Sequence, residues 1–156
     1  MNTKRCFFIG HRDTSEDIIP SLENSIEHHI KNLGVTEFIV GHYGSFDKIV
    51  TKTLIKVKQQ YPQIHLTLLL PYHPAERKTR IPKDFDSTYY PDGMETVPYK
   101  AAIIRANRYA IDHSDYLIAY VWHAASNSRE ILEYAYSREK RGLIQVTLLS
   151  PNISTE

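Results

Sequence analysis

The chain has 156 residues, 42% hydrophobic and 24% charged, a balance that suits one globular core and excludes a disordered chain or two full-sized domains. With 19 basic and 18 acidic side chains the formal charge is +1, so there is no general electrostatic pull toward nucleic acid or a membrane surface. The single cysteine, Cys6, rules out a disulfide framework within the chain and, set in an apolar run, reads as a small buried hydrophobe. The opening MNTKRCFFIG lacks the long apolar segment of a secretory signal, and no stretch reaches membrane-spanning length. These features predict a soluble cytoplasmic protein with no membrane partner.

Residues 5–9 read as a first strand, stopped by Gly10-His11-Arg12. Thr14 stands three residues before Asp17 at a cap-like spacing, and Ile18, Leu22, Ile26, Ile30 and Leu33 then recur on one helical face until Gly34. A second strand over 35–40 runs into the turn Gly41–Gly44, and a second helix from near Ser45 ends before Pro62. The third strand, 65–70, contains the uninterrupted run TLLL, which suits a parallel strand covered on both faces. Residues 72–98 hold four prolines, a basic cluster from Arg77 to Lys83 and no period of two or four, and so read as an irregular insertion. Helical spacing returns over 99–113, followed by a fourth strand at 116–121, a polar turn, a helix over 129–141 and a last strand at 143–149. Residues from 151 onward read as a tail. Alternation of this kind predicts one α/β domain over 1–156: a three-layer sandwich with a parallel five-stranded sheet in the order 3-2-1-4-5. Ligands bind such sheets at the carboxyl ends of strands, where the order reverses.

That architecture gathers particular residues. His11, His42, His73 and His123 each follow one of the first four strands. In the first turn, Gly10 permits either a positive torsion or close approach, and Arg12 either holds a phosphate or carboxylate or pairs with Asp13 or Asp17. In the second, Gly41 can let a ligand lie against the strand end, while Gly44 and Ser45 present a helix N-terminus. Asp47, in the first helical turn, is either a dipole partner or a group that binds a sugar hydroxyl or orients a histidine. The fourth turn offers Trp122 as a core cover or a flat surface for a base, and Ser126, Asn127 and Ser128 as an anion nest. Asn127 and Glu130 also have capping-box spacing. The histidines come from separate loops without an HExxH motif or a cysteine pair, so no metal site is expected. Neither GxGxxG, nor GxxxxGK[ST], nor GxSxG is present, so no cofactor is specified by motif.

The segments FFIGHR, FIVGHYGSFD, RANRYAIDHSDYLIAYVW and the polar turn entering REILEYA, in that order and spacing, resemble the SLOG superfamily. That group includes the DUF1273/YpsA-like proteins, the nucleotide-binding part of DNA-processing protein A and the lysine decarboxylase-like LOG phosphoribohydrolases. The resemblance covers nearly the whole chain and is closest to the YpsA-like branch. It implies a Rossmann-like fold, a homodimer and a nucleotide or NAD-like ligand near Gly10, Arg12, Gly41, Gly44 and Asp47. The phosphoribohydrolases carry a PGGxGTxxE signature. Glu130 matches its last position and Arg105 lies near the family's helix arginine, with Arg108 as the neighbouring choice; the PGG element is absent. If that activity is retained, Glu130 would stabilise charge on the ribose while Arg105 or Arg108 held the phosphate. The first expectation is therefore a binding protein or sensor for a nucleotide-derived phosphorylated molecule. The alternatives are an N-glycosidic hydrolase and an interaction module. Nucleic acid as a partner is disfavoured by the charge balance.

Overall fold

A computed structural model describes residues 3–122 and 127–150, so the expected tail from 151 lies outside the described residues. The elements are β1 (Arg5–Gly10), α1 (Ile19–Lys31), β2 (Glu37–Val40), α2 (Ser45–Gln60), β3 (His65–Leu69), β4 (Ser87–Tyr89), α3 (Ala102–Asp112), β5 (Tyr116–Tyr120), α4 (Asn127–Glu139) and β6 (Gln145–Leu148). They form a parallel Rossmann-like sheet in the order β4-β3-β2-β1-β5-β6. The five expected strands take their expected order, and β1 sits where the direction of addition reverses.

Two local expectations are corrected. The segment read as irregular contains a sixth strand, β4, which pairs Thr67 with Ser87 and Leu69 with Tyr89. Three residues are too few to show a period of two, and the flanking prolines masked them. The turn before α1 is capped by Ser15, whose hydroxyl accepts from Asp17 N; Thr14 instead donates to the His11 carbonyl at 2.7 Å.

Alternation along the strands divides the core between the two faces. Cys6, Phe8, Phe38 and Leu66 pack with the inward faces of α1 and α2, where Leu22, Ile26, Val50 and Leu54 recur at helical spacing. Phe7, Ile9, Ile39 and Leu117 pack with α3 and α4. Helix α3 meets the sheet through Ala102, Ala106 and Ala110, all buried. Cys6 is fully buried, as its apolar setting suggested. Asp115 fixes the entry to β5 by accepting from Arg5 N at 2.9 Å. Among the described residues no helix is long and apolar enough to cross a membrane.

One buried polar residue adds an acid-sensitive contribution to stability. His29 on α1 is fully buried, with Nδ1 donating to the Ser25 carbonyl at 2.7 Å and its ring edge-on to Tyr116 at 5.5 Å. Its Nε2 is buried without a partner among the described residues. Burial lowers its pKa from 6.5, and the neighbouring His28 adds to the effect while the Ser25 carbonyl opposes it. The unfolded chain therefore binds a proton more readily than the folded one, and stability falls as pH drops below the unfolded value. Denaturant titrations at about pH 7 and about pH 5 should show His29→Leu losing less stability, or gaining more, than the unsubstituted protein, because other groups titrating in this window are common to both. Equal changes would remove His29 as a contributor.

Candidate functional site

The turns at the carboxyl ends of β1 and β2 are tied into one unit. At Gly44 the backbone has φ +97°, and an added Cβ would lie 2.8 Å from Arg12 Cα. The close approach lets Ser45 N donate to the Arg12 carbonyl at 2.8 Å, and Ser45 Oγ donates to the same oxygen. Ser45 Oγ also lies 3.1 Å from the Thr14 carbonyl. Gly10 admits a neighbour of another kind: a Cβ there would lie 2.2 Å from Phe46 Cγ. The ring of Phe46 thus occupies the space at the end of β1. At Gly41 the space is taken by the Asp47 carboxylate, whose Oδ2 would lie 2.9 Å from an added Cβ. From the other side of β1, Ser128 Oγ on α4 donates to the Gly10 carbonyl at 2.9 Å.

These ties leave a cleft of about 180 Å³ at the strand ends. Ile9, Leu69, Ile103 and Ile131 supply apolar wall. Arg12, Tyr43, Asp47, Lys100, Asn107 and Asn127 supply its main polar groups. Asp47 accepts from Tyr43 N at 3.0 Å. Desolvation pushes its carboxyl up to about 7, against the opposing pull of the Tyr43 N–H and the Arg12 guanidinium. A carboxyl in that range can accept or donate a proton near neutrality. Arg12 and Lys100 bring positive charge, and the first turn of α4 offers backbone N–H groups. The chemistry suits an anionic group beside a hydroxylated one.

The residues singled out by sequence divide sharply. Gly10, Arg12, Gly41, Asp47, Asn127 and Ser128 line the cleft together. Gly44 and Ser45 lie behind it and hold Arg12 in place. His11 is buried and accepts from Trp122 N at 2.7 Å through Nε2, joining the first turn to the end of β5. His42 packs on Tyr43 with ring centroids 4.3 Å apart, and burial lowers its pKa. His73 Nδ1 accepts from Ala75 N at 2.9 Å at the start of the loop after β3. Trp122 is 55% exposed, its ring edge-on to His11. His123 and Ser126 lie outside the described residues. Arg105 and Glu130 are exposed and are not among the lining residues, and Arg108 lies over the Tyr134 ring at 5.2 Å. Helix α4 already includes Asn127, which is therefore not the residue before the helix. Among the described residues no group of three or more His, Cys, Asp or Glu side chains is placed to hold a metal ion.

Sequence reasoning missed Tyr43, Lys100 and Asn107. A signal existed for one of them: Asn107 is four residues from Ile103 and shares its face, whereas the two flanking arginines drew the attention. Fold and cleft together define a Rossmann-like domain with a polar strand-end site. No protein-family model matches the chain, and neither does any curated protein.

Two glycines with positive φ give a direct measure of the tie. Gly34 has φ +72° with nothing within 4 Å of an added Cβ, whereas Gly44 meets Arg12. Gly34→Ala should cost about 1 kcal/mol from the left-handed backbone alone. Gly44→Ala should cost roughly 2–4 kcal/mol, because backbone strain and overpacking combine. Urea denaturation of the two variants measures the difference, and equal losses would remove the Arg12 contact as a constraint.

Proposed function

We propose that the strand-end cleft binds a nucleotide or nucleotide-derived phosphorylated small molecule, as the resemblance to SLOG proteins implies, and that the protein acts as a sensor of that ligand. The observation that carries this reading is the convergence of Arg12, Asp47 and the first turn of α4 on one cleft at the reversal of strand order. The planar guanidinium and the helix N-terminus suit a phosphate, and the Asp47 carboxyl suits a sugar hydroxyl. Lys100 adds a second cation to the lining.

A hydrolytic reading has one specific support, the Asp47 carboxyl held near neutrality, where it can serve as general acid or base. Glu130, Arg105 and Arg108 are not among the residues lining the cleft, so they add no support to that reading. Binding without turnover is the better supported function.

A thermal-shift screen with nucleoside monophosphates and NAD-like compounds tests both readings. A binder is stabilised without change to the ligand, whereas a hydrolase releases free base, detected by chromatography. Arg12→Ala should weaken binding by roughly ten-fold or more, as expected for loss of a charged hydrogen bond. Unchanged affinity would reject the site.

Protonation of Asp47 adds a second check. The ionised carboxylate repels a phosphate and the neutral acid does not, so affinity should fall as pH rises through about 7. Asp47→Asn should flatten that dependence, which isolates it from titration of the phosphate itself. A profile unchanged by the substitution would show that Asp47 does not face the anion.

A further inference from the structure

We propose that the stacked pair Tyr72 and Tyr99, with Arg77 beside it, is the seat of the ligand's base and favours purine over pyrimidine nucleotides. This rests on the nucleotide-binding reading of the adjoining cleft. A cleft of about 180 Å³ is smaller than the roughly 300 Å³ at which enclosing ligand sites begin. On this reading the cleft takes the sugar and phosphate, and the base lies at its mouth.

Three features lead from the cleft to this pair. Pro71 and Lys100 line the cleft and are the chain neighbours of Tyr72 and Tyr99. Tyr43, a third lining residue, meets Tyr72 edge-on with centroids 6.4 Å apart. Tyr72 then stacks on Tyr99 at 4.5 Å, with 25° between the rings. The Tyr72 hydroxyl donates to the Tyr99 carbonyl at 3.2 Å, which holds the pair together. The Arg77 guanidinium lies 4.5 Å from one ring centre and 5.0 Å from the other.

Tyr99 is nevertheless 58% exposed, so the pair, with the Arg77 guanidinium over its rings, still presents aromatic and guanidinium surface to water. Aromatic and guanidinium planes are the groups on which bases stack, and the wider purine covers more of such a surface. Trp122 is the other strongly exposed aromatic at this edge of the sheet. Its ring is engaged edge-on by His11 at 5.3 Å, and no chain neighbour of it lines the cleft among the described residues.

Isothermal titration of AMP, UMP and ribose 5-phosphate against the unsubstituted protein, Tyr99→Ala and Tyr99→Phe tests the proposal. AMP should bind tightest and ribose 5-phosphate weakest. Tyr99→Ala should weaken AMP binding on the order of ten-fold, the scale of one base–aromatic stack, and leave ribose 5-phosphate within about two-fold. Tyr99→Phe keeps the ring and should stay close to the unsubstituted protein. If ribose 5-phosphate binds but AMP gains nothing over it, or if Tyr99→Ala weakens both equally or neither, the platform is rejected while the cleft reading stands. If the unsubstituted protein binds none of the three, both fail together.

Discussion

The carbonyl oxygen of Arg12 is the point on which the site depends. It accepts from both the backbone and the side chain of Ser45, an arrangement that exists only because Gly44 adopts a positive φ against the Arg12 backbone. Through this one oxygen the turn after β1 and the entry to α2 become a single rigid piece. Phe46, one residue further on, locks over Gly10, and Asp47, one further again, folds back over Gly41. Four consecutive residues, Gly44 to Asp47, thus set the position of both charged groups on this side of the cleft. Their roles differ, but none can shift without moving the others.

The electrostatics follow from that packing. Asp47 lies where its carboxyl loses water but keeps one backbone N–H and the field of Arg12. Full neutralisation by an ion pair would have pulled its pKa down, and full isolation would have pushed it higher. The compromise leaves a group able to change charge within the ordinary range of cellular pH. Arg12 and Lys100, together with the first turn of α4, keep the cleft attractive to an anion in either state.

Much of the fold was legible because its elements are long and their signals agree. The parallel order followed from apolar strands alternating with amphipathic helices, and the cluster of glycines around 41–44 marked the strand-end turn. What the sequence could not convey was direction. Gly10 and Gly41 suggested room for a ligand, yet their space is filled by Phe46 and by Asp47. His11 and His42 sit at the strand ends as expected, but one serves as a hydrogen-bond strut and the other packs on Tyr43. Spacing along a turn does not say whether a side chain faces outward or braces the turn from behind. Strand β4 escaped because three residues between proline-rich flanks carry too little pattern, and Asn107 because it lies between two arginines.

The three alanines beneath α3 have a consequence of their own. Ala102, Ala106 and Ala110 are the helix's footing on the sheet, and Ala106 also borders the cleft. Only methyl groups stand between this stretch of the helix and the core, and no larger side chain is available there to absorb a change in packing. Bulkier side chains there would push against the sheet and shift Asn107, which the same helix carries into the cleft. One wall of the cleft is therefore set from underneath, by side chains that carry no polar group of their own.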